Sequence, residues 1–369
     1  MPTKEAGPPQ EAKAAQYLIL HPEDLDGLVD MKDAVDAMEQ AYSEATLWPI
    51  VNAPRRRIHS PDKVRMSTFA GGVPSLGVMG VVEHTERAVH EGAIQKSVDR
   101  EHQVCVLHDA HNSRLLAVLL GSVPEKLIGM GVGARTTLRT GATSGVGFKY
   151  LARADSEVCG LIGAGAQAVT QLLALKTVRP IRRVKVHTRS AESREAFAGK
   201  YGPLFGLEIL PVDTAEEAVR GSDVVIAATN TNVPVVFGEW LEAGQHVTSI
   251  VGSNIALVRA GWLEAARREL DDAVILRADA VVVNSREQVM QDQPGDLYPL
   301  VESNRVKLED FAELGEVASK KRSGRTSDSQ ITVHKNTAGT GAADIAIAGI
   351  AYKRAVEAGR GRWMPYKPI

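Results

Sequence analysis

The sequence predicts an α/β protein whose central part forms a doubly wound parallel sheet, with a separate α+β domain built from both chain ends. Between residues 158 and 285, short apolar segments alternate with helical segments. These apolar segments are nearly unbroken runs of Val, Ile and Ala, which is typical of strands buried on both faces. Within the first 130 residues, apolar runs are instead interrupted by glycine, proline and polar turns. That pattern indicates antiparallel pairing.

In the central part, the order of strands and helices predicts right-handed crossovers between parallel strands. Strands are predicted at 158–162, 184–188, 208–211, 223–228, 246–251 and 280–284, and helices at 191–201, 214–220 and 262–270. Together they predict one Rossmann-type domain that spans 135–331.

The two chain ends are predicted to form one further domain. Near the N-terminus we expect a helix at 31–42, strands at 64–68, 77–84, 103–108 and 115–120, a hairpin loop at 109–113 and a helix at 131–151. A C-terminal helix at 341–357 has an apolar side that needs a partner, and the first sheet is the natural place for it. The predicted substrate-binding and dimerisation domain is therefore 16–134 plus 332–369, and 1–15 is predicted to be a disordered lead-in.

Composition narrows the class of protein. The chain has 369 residues and a formal net charge of −2, so nothing favours a nucleic-acid partner. No segment has the length of apolar sequence that a membrane helix needs, and the N-terminus lacks the apolar region of a signal peptide. Two cysteines without a Cys-x-x-Cys motif and scattered histidines predict no metal site. A cytoplasmic location is expected.

The most informative segment is the strand Val158–Ile162 followed by Gly163-Ala164-Gly165-Ala166-Gln167-Ala168. Gly163 permits a tight turn, Gly165 allows close approach of a pyrophosphate, and the amides at Ala166 and Gln167 open a helix that favours negative charge. Because a strand precedes the glycines and a helix follows them, this segment predicts dinucleotide binding.

The end of the second central strand predicts which dinucleotide is bound. NAD-binding units usually carry an acid there for the ribose 2′-hydroxyl. This chain has Thr188, Arg189 and Ser190 instead. Because a guanidinium and two hydroxyls suit a 2′-phosphate, NADP(H) is predicted over NAD(H).

Further cofactor contacts are expected where the fourth and fifth central strands end. Ligands of open α/β sheets bind outside the carboxyl ends of the strands. Thr229 and Asn230 follow the fourth strand, and Gly252 and Ser253 follow the fifth. These four residues are predicted to contact the nicotinamide ribose.

Several motifs resemble the ornithine cyclodeaminase/mu-crystallin family over nearly the whole chain after about residue 20. They are Pro54-Arg55, Leu138-Arg139-Thr140-Gly141-Ala142-Thr143-Ser144, Lys149-Tyr150-Leu151-Ala152-Arg153, the glycine turn, Arg268-Glu269-Leu270-Asp271, Val283-Asn284-Ser285-Arg286-Glu287, Gly295-Asp296-Leu297 and Lys335-Asn336-Thr337-Ala338-Gly339. The resemblance implies a homodimer with a split substrate domain. It also implies action on small α-amino or α-imino acids, with Arg55 and Arg139 on the substrate carboxylate and Thr143 on the cofactor.

Two departures from the family pattern affect the predicted reaction. Met79 stands at the substrate-binding position where family members commonly carry a lysine, and Asn254 stands where cyclodeaminases use an aspartate. Neither residue can act as a base near neutral pH. Reduction of a protonated imine requires fewer proton transfers than the cyclisation of ornithine does. The sequence therefore predicts an imine reductase or amino-acid dehydrogenase. A cyclodeaminase, or a weakly catalytic NADPH-dependent ligand-binding protein, remains an alternative.

Two charged residues complete the predicted site. If 77–84 is a strand, Glu83 shares a face with Met79 and could pair with the cationic substrate nitrogen. The alternative is a surface acid at a strand end. Lys335 lies where the family pattern faces the cofactor and could supply charge or a proton, or it could be a solvated hinge lysine. Glu83, Asn254 and Lys335 are the predicted catalytic residues.

Overall fold

The computed structural model describes residues 16–53, 55–91, 94–98, 103–121, 137–252, 255–259, 264–336 and 340–366, arranged around two eight-stranded sheets. The strands are β1 (Gln16–Leu20), β2 (Arg56–His59), β3 (Val64–Val73), β4 (Val78–Glu91), β5 (Ile94–Val98), β6 (Gln103–Asp109), β7 (Leu115–Leu120), β8 (Val158–Ile162), β9 (Arg183–His187), β10 (Glu208–Pro211), β11 (Val224–Ala227), β12 (His246–Ser249), β13 (Ala280–Val283), β14 (Ala312–Glu313), β15 (Thr332–Lys335) and β16 (Arg362–Pro365). The helices are α1 (Pro22–Leu25), α2 (Met31–Leu47), α3 (Thr137–Leu151), α4 (Ala166–Val178), α5 (Ala191–Phe205), α6 (Ala215–Val219), α7 (Ile255–Arg259), α8 (Asp272–Arg277), α9 (Arg286–Asp292), α10 (Tyr298–Glu302), α11 (Leu314–Ala318) and α12 (Gly341–Glu357).

The first sheet has the order β16-β1-β7-β6-β4-β3-β2, with β5 beside β4. All of its pairs are antiparallel except β1 with β7, so the predicted antiparallel sheet is confirmed. Helix α12 spans the predicted residues and packs on β3, β4 and β6. Its small residues allow this contact: a Cβ at Gly349 would meet the side chain of Val78. The C-terminal helix therefore does complete the first sheet, as predicted.

The second sheet is parallel throughout, in the order β10-β9-β8-β11-β12-β15-β13-β14. Strands β11, β12 and β15 are buried along their whole length. Burial on both faces explains the unbroken apolar sequence of β11, whereas the polar residues of β12 and β15 are buried with hydrogen-bond partners. The predicted doubly wound sheet is confirmed.

Three predicted elements need correction. β15 pairs with β12 and β13, so 332–335 belongs to the second sheet and not to the substrate domain. The predicted helix 262–270 is not helical over its described residues 264–270, and the next helix is α8. Strands β1, β2 and β5 were not predicted, because their sequences lack a clear run of apolar alternation. The other domain limits stay predictions, and the lead-in 1–15 lies outside the described residues.

Helix α2 shows how local sequence sets an element boundary. Asp30 accepts a hydrogen bond from the amide of Asp33, and Asp33 bonds back to the amide of Asp30, which forms a capping box. The side that carries Val35, Met38 and Ala41 is buried in the core. No helix in the described part of the chain is long and apolar enough to cross a membrane.

Candidate cofactor and substrate cleft

The glycine turn after β8 has the conformation that the motif predicts. Gly163 has φ of +106°, which L side chains rarely adopt, and a Cβ at this position would collide with the carbonyl oxygen of Ala228. Its amide donates to the carbonyl of His187 over 2.9 Å, which ties the turn to β9. The turn therefore requires glycine at 163 for backbone reasons alone.

Gly165 is required for a different reason. It is the N-cap of α4, where no side chain of the described residues caps the helix. A Cβ at Gly165 would meet no atom within 4 Å, so the space in front of the first turn is open. Free helix amides next to open space form the binding site that a pyrophosphate needs. The structure at Gly163, Gly165, Ala166 and Gln167 thus fits a dinucleotide.

The segment after β9 carries Thr188, Arg189 and Ser190, which are predicted to select the nucleotide. The Ser190 hydroxyl caps α5 by accepting from the amide of Ser193, and the Thr188 hydroxyl accepts from the amide of Ser190. Arg189 is exposed between them. Arg194, which was not predicted, donates to the Thr188 carbonyl and pairs with Asp213. Arg194 therefore stabilises the turn, while Arg189 faces solvent.

Arg55 and Arg57 come together on Asp292 of α9. Arg55 forms an ion pair with this carboxylate, and Arg57 Nη1 lies 2.7 Å from its Oδ1. The Arg55 guanidinium also lies 5.5 Å from the centroid of the Phe69 ring. Residues of the first sheet are thereby joined to a helix of the second.

Arg139 lies at the start of α3 and belongs to the same group of charges. Its Nε donates to Asp344 over 3.0 Å, while its buried Nη1 has no hydrogen-bond partner among the described residues. The Nε atoms of Arg55 and Arg57 are also buried without a hydrogen-bond partner among the described residues. Unpaired buried guanidinium N–H groups favour an anionic ligand.

The pKa of Arg55 reflects this environment. Burial lowers it most, Asp292 opposes the fall, and the positive charges of Arg57, Arg139 and Arg65 add to it, so that the pKa of Arg55 is about 9. The charged form of Arg55 is thus stabilised incompletely within the protein. A carboxylate that binds here would stabilise that form.

Asn336 joins this arginine group to the cofactor cleft. It follows β15, and its Nδ2 donates to the Thr140 carbonyl and to the Ser144 hydroxyl, both at 2.8 Å. The first two turns of α3, including Arg139, are therefore fixed beside the carboxyl end of the second sheet.

The strand ends hold three of the remaining predicted cofactor residues. Asn230 and Gly252 are exposed at the ends of β11 and β12. Thr229 is half-buried, and both its amide and its hydroxyl bond to Glu269. Asn230 and Gly252 are thus accessible to a ligand, whereas Thr229 is turned inward. Ser253 and Asn254 lie outside the described residues, so their predicted roles stay predictions.

Lys335 does not have the exposure that its predicted catalytic role requires. The residue is 0% exposed. Its Nζ pairs with Asp296 and donates to the Ser249 hydroxyl over 2.7 Å and to the Val251 carbonyl over 3.2 Å. An ammonium group has three donors, and all three are used. In this structure Lys335 cannot exchange a proton with a ligand, and the prediction is corrected.

Met79 and Glu83 share a face of β4, as the alternation predicts, but that face is turned away from Arg55. In the register of β3 with β4, Phe69 lies opposite Val82, so Phe69 and Arg55 belong to the other side. Met79 is 49% exposed. Neither residue faces the arginine group within this chain, so their predicted substrate roles are not supported by the geometry.

Thr143 also differs from expectation. It is fully buried, and its hydroxyl donates to the Arg139 carbonyl one helical turn earlier. The predicted cofactor contact is therefore corrected to a contact within α3. The sequence could not show whether Thr143 faces the cofactor or the protein core, because burial of a helix face depends on the helix that packs against it.

Several charged residues of the site were not predicted. Arg57 could have been found, since period-two alternation along β2 places it on the same face as Arg55. Asp292 and Asp344 carry no local signal, because each meets its arginine across more than 200 residues. Within the described ranges, no group of three or more His, Cys, Asp or Glu residues could hold a metal ion.

Comparison with known proteins agrees with this architecture. The sequence profile of the ornithine cyclodeaminase/mu-crystallin family matches residues 16–359. A Delta(1)-pyrroline-2-carboxylate reductase of Bacillus cereus is 30% identical over 349 residues, which cover 93% of this chain and 98% of that protein.

Solved structures agree as well. The Thermococcus litoralis Delta(1)-pyrroline-2-carboxylate reductase, in complex with NADH and L-proline, is 28% identical with a TM-score of 0.75, and the match covers 94% of this chain and 99% of that one. An archaeal alanine dehydrogenase dimer with bound NAD is 27% identical with a TM-score of 0.77, covering 95% and 100%. The chain belongs to the ornithine cyclodeaminase/mu-crystallin family.

Proposed function

We propose that this protein is an oxidoreductase that reduces a small α-imino or α-keto acid to the amino acid with a nicotinamide dinucleotide, or catalyses the reverse oxidation. The observation that carries the proposal is the buried arginine group beside the carboxyl end of the parallel sheet. Relatives named as imine reductases and amino-acid dehydrogenases, of which the chain covers nearly the full length, support the same chemistry.

The chain's own residues would act mainly by binding and orientation. Arg55 and Arg139 would hold the substrate carboxylate, and two guanidinium groups on one carboxylate fix the face that the imine carbon presents. The bound nicotinamide would supply or accept the hydride. Starting from a protonated imine, hydride transfer to carbon yields the amine without further proton transfer. This reaction therefore needs no base at positions 79 or 254.

A panel of cyclic and acyclic imino and keto acids tests the proposal. Each compound is mixed with the purified protein and NADPH or NADH, with ammonia added for the keto acids, and loss of nicotinamide absorbance is measured. Turnover of at least one small α-imino acid is expected. Release of ammonia from ornithine without net nucleotide turnover would instead indicate a cyclodeaminase. Nucleotide binding without turnover of any compound would favour the ligand-binding alternative.

For the cofactor, we propose NADP(H) over NAD(H). The exposed guanidinium of Arg189, between the hydroxyl-bearing Thr188 and Ser190, supports this choice, and the described end of β9 presents no acid to repel a 2′-phosphate. Arg189→Ala is expected to raise KM for NADPH by about tenfold or more, since a phosphate loses a charged partner, with little change for NADH.

Steady-state kinetics with both nucleotides measure the effect of Arg189→Ala. Arg182→Ala is the matched control, because Arg182 is also an exposed arginine, at the other end of the same strand. Equal changes for NADPH and NADH in the Arg189 variant would disprove the proposed preference.

We further propose that the protein is a homodimer that pairs through the open face of the first sheet. One face is covered by α12, whereas the other carries apolar side chains that this chain leaves accessible, such as Ile58, which is 67% exposed, and Met79. The related archaeal alanine dehydrogenase is described as a dimer. Accessible apolar side chains on the open face of a sheet are typical of a subunit interface.

Ile58→Glu is expected to convert the dimer to monomer, because it places a charge within an apolar interface. Sedimentation velocity of wild type and variant measures the change. Leu210→Glu is the control, since Leu210 is an exposed apolar residue on the edge strand β10 of the other sheet. A monomeric wild type, or an unchanged variant, would contradict this interface.

A further inference from the structure

Four buried polar residues meet beneath the carboxyl ends of β11, β12 and β15, and we call them the strand-end cluster: Lys335, Asp296, Glu269 and Ser249. Each is between 0% and 1% exposed. Charged residues are almost never fully buried unless paired, so a group of this kind needs a physical explanation.

Glu269 is the centre of the cluster. Its Oε1 accepts from the Thr229 amide at 2.5 Å and the Thr229 hydroxyl at 2.8 Å. Its Oε2 accepts from the Ser249 hydroxyl at 2.7 Å and from the amides of Ile250 and Val251 at 3.0 Å. One carboxylate therefore joins the chain that leaves β11 to the chain that leaves β12.

Lys335 and Asp296 hold Glu269 in place. Asp296 accepts from the backbone amides of Glu269 and Leu270 at 2.7 and 3.0 Å, and it pairs with Lys335. Lys335 also bonds to Ser249 and to the Val251 carbonyl. Every donor of Lys335 is thus used on the end of β12 and on Asp296.

The charges of the cluster point to an ionised glutamate. Burial and the nearby negative charge of Asp296 raise the pKa of the Glu269 carboxyl, while the charge of Lys335 and the donors from Thr229 and Ser249 oppose that rise. Backbone amides can only donate, and three of the five hydrogen bonds to Glu269 come from the amides of Thr229, Ile250 and Val251. The geometry therefore favours the carboxylate, and loss of its charge would leave these donors poorly satisfied.

We propose that the strand-end cluster positions the backbone after β11 and β12 for the nicotinamide half of the cofactor. Thr229 and Val251 are held from inside, so the exposed residues that follow them, Asn230 and Gly252, are presented to the cleft. Lys335, Asp296, Glu269 and Ser249 are positioning residues that touch no ligand. This inference rests on the proposed function, since it requires that a nicotinamide dinucleotide binds.

The test compares whole nucleotides with fragments that lack nicotinamide. Binding of NADPH and NADH, and of adenosine 2′,5′-bisphosphate and ADP, is measured by fluorescence and calorimetry for Glu269→Gln, Lys335→Met and the milder Ser249→Ala. Thermal unfolding is recorded for each protein. We expect Glu269→Gln to weaken binding of the preferred whole nucleotide by about tenfold or more, and fragment binding by less than about twofold.

Gln245→Leu is the matched control. Gln245 is also buried, and its Nε2 bonds to the Val219 and Ser222 carbonyls, but it lies at the opposite end of the same sheet. This variant is expected to lower the thermal stability without changing the ratio of whole-nucleotide to fragment affinity. If Glu269→Gln does not fold, Ser249→Ala removes one hydroxyl and is expected to change that ratio in the same direction by a smaller factor.

The outcomes separate the two proposals. A wild type that binds neither reduced nucleotide overturns the proposed function. A wild type that binds, together with folded cluster variants whose ratio equals that of wild type, overturns the positioning role alone. Equal weakening of whole nucleotides and fragments would also overturn it, since this result would indicate general damage to the fold.

Discussion

Replacing Arg139 with alanine is expected to lower kcat/KM for the imino acid by about three orders of magnitude, with nucleotide affinity nearly unchanged. Truncating one partner of a buried, hydrogen-bonded charge pair costs about 2–5 kcal/mol, and loss of orientation at the imine carbon adds to this cost. Arg139 carries a buried N–H group that has no partner among the described residues, so this group can donate to a substrate carboxylate. Steady-state kinetics and a separate nucleotide titration measure the two quantities.

Arg139→Ala could reduce activity in two ways, by removing a contact to the substrate or by leaving Asp344 without its partner. Arg139→Ala leaves Asp344 without its arginine, so the double variant Arg139→Ala/Asp344→Asn is needed. Both variants are expected to be equally impaired and to be partly rescued by added guanidinium. Recovery of activity in the double variant would show that the orphaned carboxylate, and not the lost substrate contact, caused the defect.

Arg153→Ala provides the control for removing a partly buried arginine. Arg153 Nη2 lies 2.6 Å from Asp223 Oδ1, at the amino end of the second sheet and away from the cleft. Its loss is expected to reduce stability with little effect on kcat/KM. A comparable loss of kcat/KM in this variant would remove the basis for placing the substrate beside Arg139.

The second large effect is expected at the phosphate-binding turn. Gly165→Val should weaken binding of either nucleotide by about a hundredfold or more while the melting temperature stays close to that of wild type. A Cβ at Gly165 enters open space and meets no protein atom within 4 Å, so we expect the fold to tolerate valine there. The same space is where a pyrophosphate would approach the first turn of α4.

Gly163→Val and Gly199→Val complete this comparison. Gly163 has positive φ and closely approaches Ala228, so its substitution should destabilise the protein by several kcal/mol. Gly199 lies on α5, and a Cβ there would meet no atom within 4 Å. Its substitution should change neither the nucleotide affinity nor the melting temperature. If Gly165→Val binds nucleotide as wild type does, the dinucleotide is not held at this turn.

Most of the α/β part could be predicted because its signals are local. Strand Val158–Ile162, the glycine turn and α4 follow one another in sequence, and a turn with positive φ followed by a helix leaves a recognisable pattern. The helix Gly341–Glu357 was predicted to the residue for the same reason, because its apolar side is a local signal, and in the structure the Thr340 hydroxyl caps it by accepting from the amide of Ala343.

β15 and the arginine group show where such prediction ends. Thr332–Lys335 has three polar residues in four, yet it is a central strand, because His334 bonds to Asn284 and Lys335 to Ser249. Burial lowers the pKa of His334 to about 3, so it is a neutral core residue. A lysine and a histidine at a strand end suggest catalysis until those partners are known.

The sequence alone determined the fold class and the glycine turn, since both depend on residues that are close together in the chain, whereas Arg55 and Arg139 were predicted from the family resemblance. Tertiary structure alone decided which polar side chains face the cleft. It turned Glu83 and Met79 to the far side of their sheet, buried Lys335 and Thr143, and brought Asp292 and Glu269 to their partners. The physical reason is that the orientation of a side chain on a strand or helix depends on register and on packing against distant elements. A buried charge also needs a partner, and that partner comes from a distant part of the chain.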